Sequence, residues 1–423
     1  MQEFDVARVR ALYPALAGAD GAPAPIFLDN PGGTQVPQPV VDAVTDCLIG
    51  ANANLGGAFR SSRAATKLFD DAHVAMADFF NARSAREIVF GQNMTTLTMQ
   101  MSRSLARTLQ AGDEIVVTRM EHDANVAPWL LVARDLDLTV KFLPFDTETY
   151  EFDLSLLDGL LSERTKLVCV NHASNLTGTI NDVKTVSEKA HSVGALVYVD
   201  SVQFAPHGAI DVQALDCDFL VCSPYKFFGP HLGVLWGREE LLTELDPYKV
   251  RTASDALPHR FETGTLNHEG MAGAMAAVDY FAWIGRELGG PSYCDRHQAF
   301  SGRRQEIRAA MDCMFDYETP ITRRLIEGLS ALPGVKVHGI TNPNAMARRV
   351  PTVSFTAEGH QPQAIASALG EREIYVWSGH NYALEPATQL GIAEEGVVRI
   401  GLVHYNTAEE VERTLEEIEA ILG

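Results

Sequence analysis

The stretch Phe219-Leu-Val-Cys-Ser-Pro-Tyr-Lys-Phe-Phe-Gly-Pro-His-Leu-Gly233 decides how the rest of the sequence is interpreted. Its first four residues are apolar and predict a buried strand, which ends at Ser223. Lys226 follows shortly after, between aromatic residues and ahead of a glycine and a proline. Upstream, the apolar run Ala195–Val199 ends at Asp200. The pattern therefore predicts an amine and a carboxylate at the carboxyl ends of two strands.

Short apolar runs alternate with longer helical patterns through the first part of the chain, and this alternation predicts an α/β fold with a mostly parallel central sheet. The predicted strands are Glu87–Phe90, Glu114–Thr118, Thr139–Leu143, Lys166–Val170, Ala195–Val199, Phe219–Cys222 and Gly233–Trp236. Ligands of such sheets bind at the carboxyl ends of the strands. The polar residues that follow these ends are Asn171, His172, Asn175, Asp200, Gln203, Ser223 and Lys226.

The alternation of strand and helix patterns ends at about residue 290, and we therefore predict two domains. Residues 29–290 form the large domain that carries the central sheet. Residues 291–320 are rich in charged and aromatic side chains and predict a helical insertion or linker. Residues 321–423 predict a smaller α+β domain, on which residues 1–28 are expected to pack.

Composition excludes several classes of partner. The 423 residues carry a formal net charge of −21, which argues against nucleic acid and against anionic membrane surfaces. No apolar run is long enough to predict a membrane span, and the N-terminus lacks the pattern of a signal peptide. None of the six cysteines forms a Cys-x-x-Cys pair, so we expect no metal site and a reduced, cytoplasmic protein.

A lysine and an aspartate at neighbouring strand ends are what pyridoxal phosphate requires. The lysine amine forms a Schiff base with the cofactor aldehyde, and the carboxylate pairs with the protonated ring nitrogen. Gly91–Thr96, which includes Met94 and Thr95, follows a strand and opens a helix, as in a phosphate cradle. His122, which follows another strand, is a candidate for stacking on the cofactor ring, and Asn175 and Gln203 are candidate hydrogen-bond donors to its phenolic oxygen.

With these pieces assembled, the chain resembles the class V aminotransferase family, and most of all the cysteine desulfurases, over about residues 26–412. The matching strings are Phe27–Asn30, Met120–His122 with Asn125, Asn175 with Gly178-Thr179, Val199-Asp200 with Gln203, Ser223 with Lys226, Phe261–Thr265 with Asn267, Ser378–His380, and Arg399 with Tyr405–Thr407. The resemblance implies the fold type I of pyridoxal phosphate enzymes, an amino-acid substrate, and a homodimer with a shared active site.

Residue roles follow from the resemblance. It implies that Lys226, Asp200 and His122 carry the catalytic functions. It further implies that Thr95, Ser223 and the partner subunit's Thr265 hold the cofactor phosphate. Arg399 would clamp the substrate carboxylate as a bidentate guanidinium, a geometry that lysine lacks. On the substrate side the expected residues are Asn30, Arg399, His380 and Tyr382.

One departure from the family pattern affects the reaction. Tyr382 stands where cysteine desulfurases carry the nucleophilic cysteine, and no cysteine occurs after Cys313. A phenol cannot accept sulfur as a persulfide, so we favour β-elimination of the C–S lyase type. The alternatives are transamination, epimerisation with Tyr382 or His380 as second base, and persulfide-forming desulfuration. A non-catalytic scaffold that carries the cofactor is a further alternative.

Ordinary structural roles are also open for the same residues. Asp200 is a possible helix N-cap, Thr95 a possible cap of its own helix, and Arg399 a possible member of a structural ion pair. Tyr382 either fills the space of the missing cysteine or transfers a proton. Each of these roles predicts different hydrogen-bond partners for the residue, so the structure can distinguish between them.

Overall fold

The computed structural model describes residues 4–18 and 24–423. The helices of this part are α1 (Val6–Arg10), α2 (Gln38–Gly50), α3 (Arg60–Phe80), α4 (Met94–Ala106), α5 (Ala127–Leu136), α6 (Ser155–Leu160), α7 (Val183–Ser192), α8 (Val212–Leu215), α9 (Glu239–Glu244), α10 (His268–Ile284), α11 (Gly290–Cys294), α12 (Gly302–Ala331), α13 (Pro362–Gly370), α14 (Leu384–Gln389) and α15 (Ala408–Leu422). The strands are β1 (Ile26–Phe27), β2 (Ile88–Gly91), β3 (Glu114–Thr118), β4 (Thr139–Leu143), β5 (Thr165–Asn171), β6 (Leu196–Asp200), β7 (Phe219–Cys222), β8 (Gly233–Gly237), β9 (Val335–His338), β10 (Thr352–Ala357), β11 (Ile374–Tyr375), β12 (Trp377–Gly379) and β13 (Val397–Gly401).

The central sheet has seven strands in the order β2-β8-β7-β6-β5-β3-β4. Strands β7, β6, β5, β3 and β4 run parallel, whereas β8 is antiparallel to both of its neighbours. The predicted α/β class and the mostly parallel sheet are therefore confirmed. Because β5, β6 and β7 point the same way, the residues at their carboxyl ends meet at one edge.

Both faces of the central sheet are covered, and the strand sequences show why. In β6, Val197 and Val199 pack into a core on one face, whereas Tyr198 packs into the core on the other. Successive side chains of a strand point to opposite faces, so a strand that is buried on both faces must be apolar throughout. The continuous apolar runs in the sequence reflect this constraint.

A second sheet, antiparallel and of four strands, has the order β12-β13-β10-β9. Its core contains residues from α12, α13 and α15, and it also receives Ile26 and Leu28. The sequence predicts a single strand over 374–377, but the structure divides it. Strand β11 pairs with β1, and after Val376 the chain changes sheets, so that β12 pairs with β13.

Helix α12 is one continuous helix of 30 residues. The sequence predicts separate helical segments before and after residue 320, yet the helix passes through this position with Pro320 in its interior. Its first half packs with Val9 and Tyr13 in a core of the central sheet, and its second half packs in the C-terminal core. The domain limits 29–290, 291–320 and 321–423 stay a prediction. Residues 1–3 and 19–23 of the segment assigned to the small domain lie outside the described residues.

Within the part of the chain that the structure describes, no helix combines the length and the apolar character that crossing a membrane requires.

The start of α4 depends on a close approach to β8. Asn93 caps α4, because its Oδ1 accepts a hydrogen bond from the Thr96 backbone N–H, and Thr96 Oγ1 accepts one from the Asn93 backbone N–H. A Cβ added at Gly233 would lie 2.3 Å from the carbonyl carbon of Asn93. Glycine at this position therefore lets the helix start directly against the sheet.

We expect Gly233→Ala to destabilise the chain by about 1–3 kcal/mol, because backbone atoms of Asn93 must move to admit the methyl group. The measurement is the free energy of unfolding from urea titration. Gly159→Ala is the matched control, since no atom lies within 4 Å of its added Cβ. It should match or slightly exceed the wild-type stability. Equal stability of Gly233→Ala and wild type would contradict the packing argument.

Candidate active site

A cavity of about 1030 Å³ lies between the carboxyl edge of the central sheet and the C-terminal sheet. The predicted site residues that line it are Met94, Thr95, His122, Asn175, Asp200, Gln203, Lys226, His380, Tyr382 and Arg399. Ser223 lies directly behind the lining, where its Oγ accepts a hydrogen bond from the Met94 backbone N–H. Asn30 and Thr265 do not line the cavity.

The turn after β7 fixes the position of Lys226. Pro224 opens a short 3₁₀ turn, and the Lys226 backbone N–H donates to the Ser223 carbonyl at 3.0 Å. The next two side chains, Phe227 and Phe228, are completely buried and hold the turn against the core. The Lys226 Nζ donates to the carbonyls of Pro31 and Gly32.

Burial and charge act together on the Lys226 amine. Burial lowers the pKa of Lys226 to about 7, assisted by the positive charge of Arg399, while Asp200 and Asp29 oppose the shift. An ordinary lysine titrates at about 10.4. A substantial fraction of the Lys226 amine is therefore neutral, and so nucleophilic, near neutral pH.

Asp200 is the last residue of β6, and its carboxylate faces the cavity. Its Oδ1 accepts a hydrogen bond from the Val202 backbone N–H at 2.9 Å. No helix starts at Asp200, so the residue is not a helix N-cap. Burial raises the pKa of Asp200 to about 6, while the Val202 N–H and the charge of Lys226 act in the opposite direction. A buried carboxylate with this little compensation is well suited to a cationic ring nitrogen.

The imidazole of His122 has a defined hydrogen-bonding role. Its Nδ1 accepts from the Ala124 backbone N–H at 3.0 Å, so the ring proton is on Nε2. Burial lowers the pKa of His122 to about 4, and the charges of Lys226 and Arg399 add to this shift. The ring is therefore neutral at pH 7. On one side it stacks on Tyr382, with ring centroids 5.5 Å apart and an interplanar angle of 25°.

Arg399 extends from β13 into the same cavity and is buried. Its Nη1 donates to the Asn175 carbonyl at 3.0 Å, whereas its Nε has no partner among the described residues. Burial lowers the pKa of Arg399 to about 10, so the group stays charged. No carboxylate of the described chain forms a salt bridge with it, which argues against a structural ion pair. Free guanidinium donors in a cavity suit a substrate carboxylate.

The N-terminus of α4 opens at the other end of the cavity, where Gln92, Asn93, Met94, Thr95 and Thr96 line it. The N–H of Thr96 is capped by the Asn93 side chain and that of Met94 by Ser223. Unpaired backbone N–H groups and a positive dipole end at a helix start bind phosphate well.

The donor set fits pyridoxal phosphate. One end offers a helix N-terminus for a phosphate, Asp200 offers a buried carboxylate for a ring nitrogen, and Lys226 offers an amine for an aldehyde. The Oδ1 atom of Asn175 is buried without a hydrogen-bond partner among the described residues, so it can accept one from a bound group. These features lie around a single cavity that His122 borders.

Three of the predicted residues have polar groups engaged by other parts of the chain, and one of these groups is the Asn175 Nδ2, which donates to the Asn381 carbonyl at 2.9 Å. Asn30 donates to the carbonyls of Phe27 and Gly401 and accepts from Tyr405, so it ties the segment before Pro31 to β13. Gln203 lines the cavity, but its Nε2 donates to Thr352 Oγ1 at 3.0 Å. Asn30 therefore fixes the position of the two residues that follow it, Pro31 and Gly32, whose carbonyls accept hydrogen bonds from Lys226 Nζ.

Sequence reasoning missed three residues of the site. Trp377 lines the cavity and passes close to Gly32, where an added Cβ would lie 2.1 Å from the indole nitrogen. Burial raises the pKa of Asp29 to about 6, while the charges of Arg399 and Lys226 act in the opposite direction. Burial also raises the pKa of Glu121 to about 8, directly before His122. Asp29 and Glu121 lie within the matching strings Phe27–Asn30 and Met120–His122, and that position was the available signal.

Known sequences are similar to this chain over nearly its whole length. The sequence profile of the family described as Aminotransferase class-V matches residues 26–288 and 306–414. The chain is 33% identical over 428 residues to Aminotransferase-like protein FGM3 of Gibberella zeae, covering 99% of both chains. It is 34% identical over 430 residues to a probable cysteine desulfurase of Synechocystis, covering 98% of this chain and 95% of that relative.

Solved structures show the same fold. A cysteine desulfurase from Thermococcus onnurineus superposes with a TM-score of 0.85 at 30% identity, covering 100% of this chain and 99% of that one. The cysteine desulfurase CsdA from Escherichia coli superposes with a TM-score of 0.82 at 26% identity, covering 99% and 98%. The predicted fold type is therefore confirmed.

We expect Lys226 to titrate near pH 7 in the cofactor-free chain, as its pKa of about 7 requires. The neutral amine reacts with acetic anhydride, so labelling of Lys226 should rise through pH 7. Lys184, whose side chain is 63% exposed, is the reference lysine of the same sample. Competitive isotope labelling with peptide mass spectrometry measures both lysines in one sample.

The same measurement on Arg399→Met tests the electrostatic cause. Removing a neighbouring cation stabilises the ammonium form, so the Lys226 midpoint should move to higher pH in this variant. A wild-type midpoint near that of Lys184 would refute the effect of burial. An unshifted midpoint in Arg399→Met would refute the contribution of Arg399.

Proposed function

The chain belongs to the class V aminotransferase family and is a pyridoxal phosphate-dependent, cysteine desulfurase-like enzyme acting on amino acids, and we propose that it catalyses β-elimination from a sulfur-containing amino acid. In this C–S lyase reaction the Cα–H and Cβ–S bonds break. With cysteine and one water, the products are sulfide, pyruvate and ammonia. Sulfur is the proposed leaving atom because several relatives are named cysteine desulfurases.

The observation that carries the proposal is the absence of a thiol from the site. All six cysteines lie in the described part of the chain, and none of them lines the cavity. Burial is the main cause that raises the pKa of every one of these thiols. A thiol must ionise to attack sulfur, so these cysteines are poor nucleophiles. Tyr382 occupies the loop instead, with 70% of its surface exposed.

The charged groups of the cavity divide the work of binding. The free donors of Arg399 suit the substrate carboxylate, and Asp200 suits the ring nitrogen of the cofactor. His122 presents the face of a neutral ring, which allows stacking without adding a charge. Residues from both sheets thus hold the substrate and the cofactor in one orientation.

Proton transfer is assigned to Lys226. When bound, pyridoxal phosphate supplies an aldehyde that condenses with amines and a ring that delocalises the electron pair left at Cα. The Lys226 Nζ, with its pKa lowered to about 7, takes the proton from Cα. The departing sulfur then needs a proton. Neutral His122, with a pKa of about 4, is a poor acid for this step, so the protonated Lys226 and the Tyr382 phenol are the proposed donors.

A homodimer is part of the proposal. Thr265, in a string that matches the family, is exposed and lies outside the cavity of its own chain. Helix α2, against which α10 packs, exposes Val41, Leu48 and Ile49, of which Ile49 is 81% exposed. Apolar residues at this spacing form one face of a helix, and a second copy would cover it. A cytoplasmic location is a further proposal, supported by six free cysteines.

We expect Arg399→Lys to lower kcat/KM for amino-acid substrates roughly ten- to hundredfold, since a bidentate charged pair contributes on the order of 1.5–3 kcal/mol. Cofactor absorbance should stay unchanged in this variant. Arg348→Lys is the control, because Arg348 is an exposed residue paired with Glu151 outside the cavity. Near-normal kinetics for Arg399→Lys would mean that another group holds the carboxylate.

We expect cysteine turnover to release free sulfide, pyruvate and ammonia in equal amounts, with no sulfur left on the protein. Product assays and intact-protein mass spectrometry measure these quantities directly. Cys294→Ala serves as the matched variant, because Cys294 is the only one of the six cysteines that is not buried. Its turnover should equal that of wild type, since no thiol takes part.

Other outcomes of this experiment favour specific alternatives. An additional sulfur on the protein together with alanine as co-product would establish persulfide-forming desulfuration. Formation of a keto acid with retention of sulfur would indicate transamination. Loss of optical activity without any product would indicate epimerisation, and no turnover of any amino acid would support a scaffold function.

A further inference from the structure

Trp377 presents a free aromatic surface inside the cavity. Its indole lines the cavity, and 50% of the residue is exposed. Trp377 pairs directly with Arg399 in the register of β12 and β13. Directly opposed residues of neighbouring antiparallel strands project their side chains from the same face, with Cβ atoms about 4.5–5.5 Å apart. The indole therefore stands beside the guanidinium that suits a substrate carboxylate.

The segment Gly32-Gly33 brings aromatic rings close to the Lys226 amine. A Cβ added at Gly32 would lie 2.1 Å from the Trp377 indole nitrogen, and one added at Gly33 would lie 3.2 Å from the Tyr225 ring. The Gly32 carbonyl accepts a hydrogen bond from Lys226 Nζ at 3.1 Å. The same Nζ lies 4.8 Å from the Tyr225 ring centroid. The indole is thus close to the amine as well as to the guanidinium, and the proposed function places the substrate Cα between these two groups.

The surroundings of Trp377 favour an uncharged aromatic partner. The Oγ atom of the adjacent Ser378 is already engaged, since it donates to Gln363 Oε1 at 2.8 Å. The face of an aromatic ring is electron-rich and repels an anion, whereas a cation would be repelled by the two buried cations of the cavity. Tyr225, which stacks on His231 with ring centroids 4.9 Å apart, adds a second aromatic surface to the lining. An uncharged ring is therefore the group that this part of the cavity suits.

The size of the cavity allows such a ring. At about 1030 Å³ it lies at the upper end of the range for small-molecule sites, which is roughly 300–1,000 Å³. Cysteine has no atom beyond its thiol with which to cover the Trp377 indole. A substituent on the sulfur extends the substrate far enough to do so.

The acids available to the leaving group also favour an aromatic substituent on the sulfur. Neutral His122 is a poor acid, and Tyr382 is 70% exposed to solvent. An aryl thiolate spreads its negative charge into the ring, so it departs with less need of a proton than an alkyl thiolate does. A site with weak acids is therefore better matched to an aryl thiolate as the leaving group.

We propose that the substrate is an S-aryl derivative of cysteine, whose ring stacks on Trp377 while its carboxylate pairs with Arg399. The inference rests on the proposed function and names the substrate class of the same site. Lys226 takes the Cα proton, and the electron pair of the Cβ–S bond leaves with the sulfur as the aryl thiolate. Addition of one water to the remaining three-carbon fragment gives pyruvate and ammonia, so the reaction needs no oxidant or reductant.

The first test measures binding without chemistry. 3-(Phenylthio)propanoate and 3-(methylthio)propanoate carry the carboxylate and the sulfur but no amine, so neither condenses with the cofactor aldehyde. By calorimetry, wild-type holoenzyme should bind the phenyl compound at least tenfold more tightly than the methyl compound. Trp377→Ala should bind the two within twofold of each other, and Trp377→Phe should keep most of the preference. Tyr248→Ala is the matched control, since Tyr248 is an exposed aromatic residue outside the cavity, and it should keep all of it.

The second test compares turnover. For wild type, kcat/KM for thiol release should be at least tenfold higher with S-phenylcysteine than with S-methylcysteine. Trp377→Ala should lose about tenfold with S-phenylcysteine and stay within twofold of wild type with S-methylcysteine. An equal loss with both substrates would mean that Trp377 acts only through its neighbour Arg399, which would overturn the proposal. If Trp377→Ala does not fold, Trp377→Leu removes the aromatic face while it keeps an apolar side chain, and the same outcomes apply.

Failure of the inference is distinguishable from failure of the proposed function. Absence of β-elimination from every cysteine derivative would contradict the proposed function, and the inference with it. Elimination from cysteine and S-methylcysteine without any advantage for S-phenylcysteine would contradict the inference alone. Equal affinity of wild type for the phenyl and methyl propanoates would contradict it as well.

Discussion

Two buried cations in one cavity, Lys226 and Arg399, are the constraint on which the rest of the site depends. Each loses hydration on burial, which lowers its pKa, and the charge of Arg399 lowers the pKa of Lys226 further. The structure compensates with carboxylates at Asp200 and Asp29 and with the carbonyls of Pro31 and Gly32. As a result Arg399 stays charged and suits a substrate carboxylate, whereas Lys226 titrates near pH 7 and can exchange a proton.

The compensating groups come from separate parts of the fold, and the sheet brings them together. Parallel pairing sets Asp200 beside Asn171 on one side and beside Val221 on the other. Residues that are distant in sequence thus reach one edge. Arg399 arrives from the second sheet, where β13 pairs with both β10 and β12. Asn30 donates to the Gly401 carbonyl and accepts a hydrogen bond from Tyr405, so the segment that leads to the Pro31 and Gly32 carbonyls is joined to the end of β13.

Much of this arrangement could be predicted from local sequence, because continuous apolar strands and the polar residues at their ends are local signals. The strand that holds Asp200 and the strand before Lys226 are examples. Other features depend on pairing partners that a local pattern does not contain. The division of β11 from β12 at Val376 is one such case, and the approach of Trp377 to Gly32 is another. The unbroken course of α12 past Pro320 was missed for the same reason, since packing against two cores outweighs the preference of proline to end a helix.

The continuity of α12 has a mechanical consequence. At 30 residues the helix is about 45 Å long, and it belongs to both cores. The core of the central sheet, on the side of Lys226, and the core of the C-terminal sheet, on the side of Arg399, therefore share one helix. Proline removes one backbone hydrogen bond from a helix, so bending is easiest near Pro320. A change in the bend of α12 would therefore change the distance between the Arg399 guanidinium and the Lys226 amine.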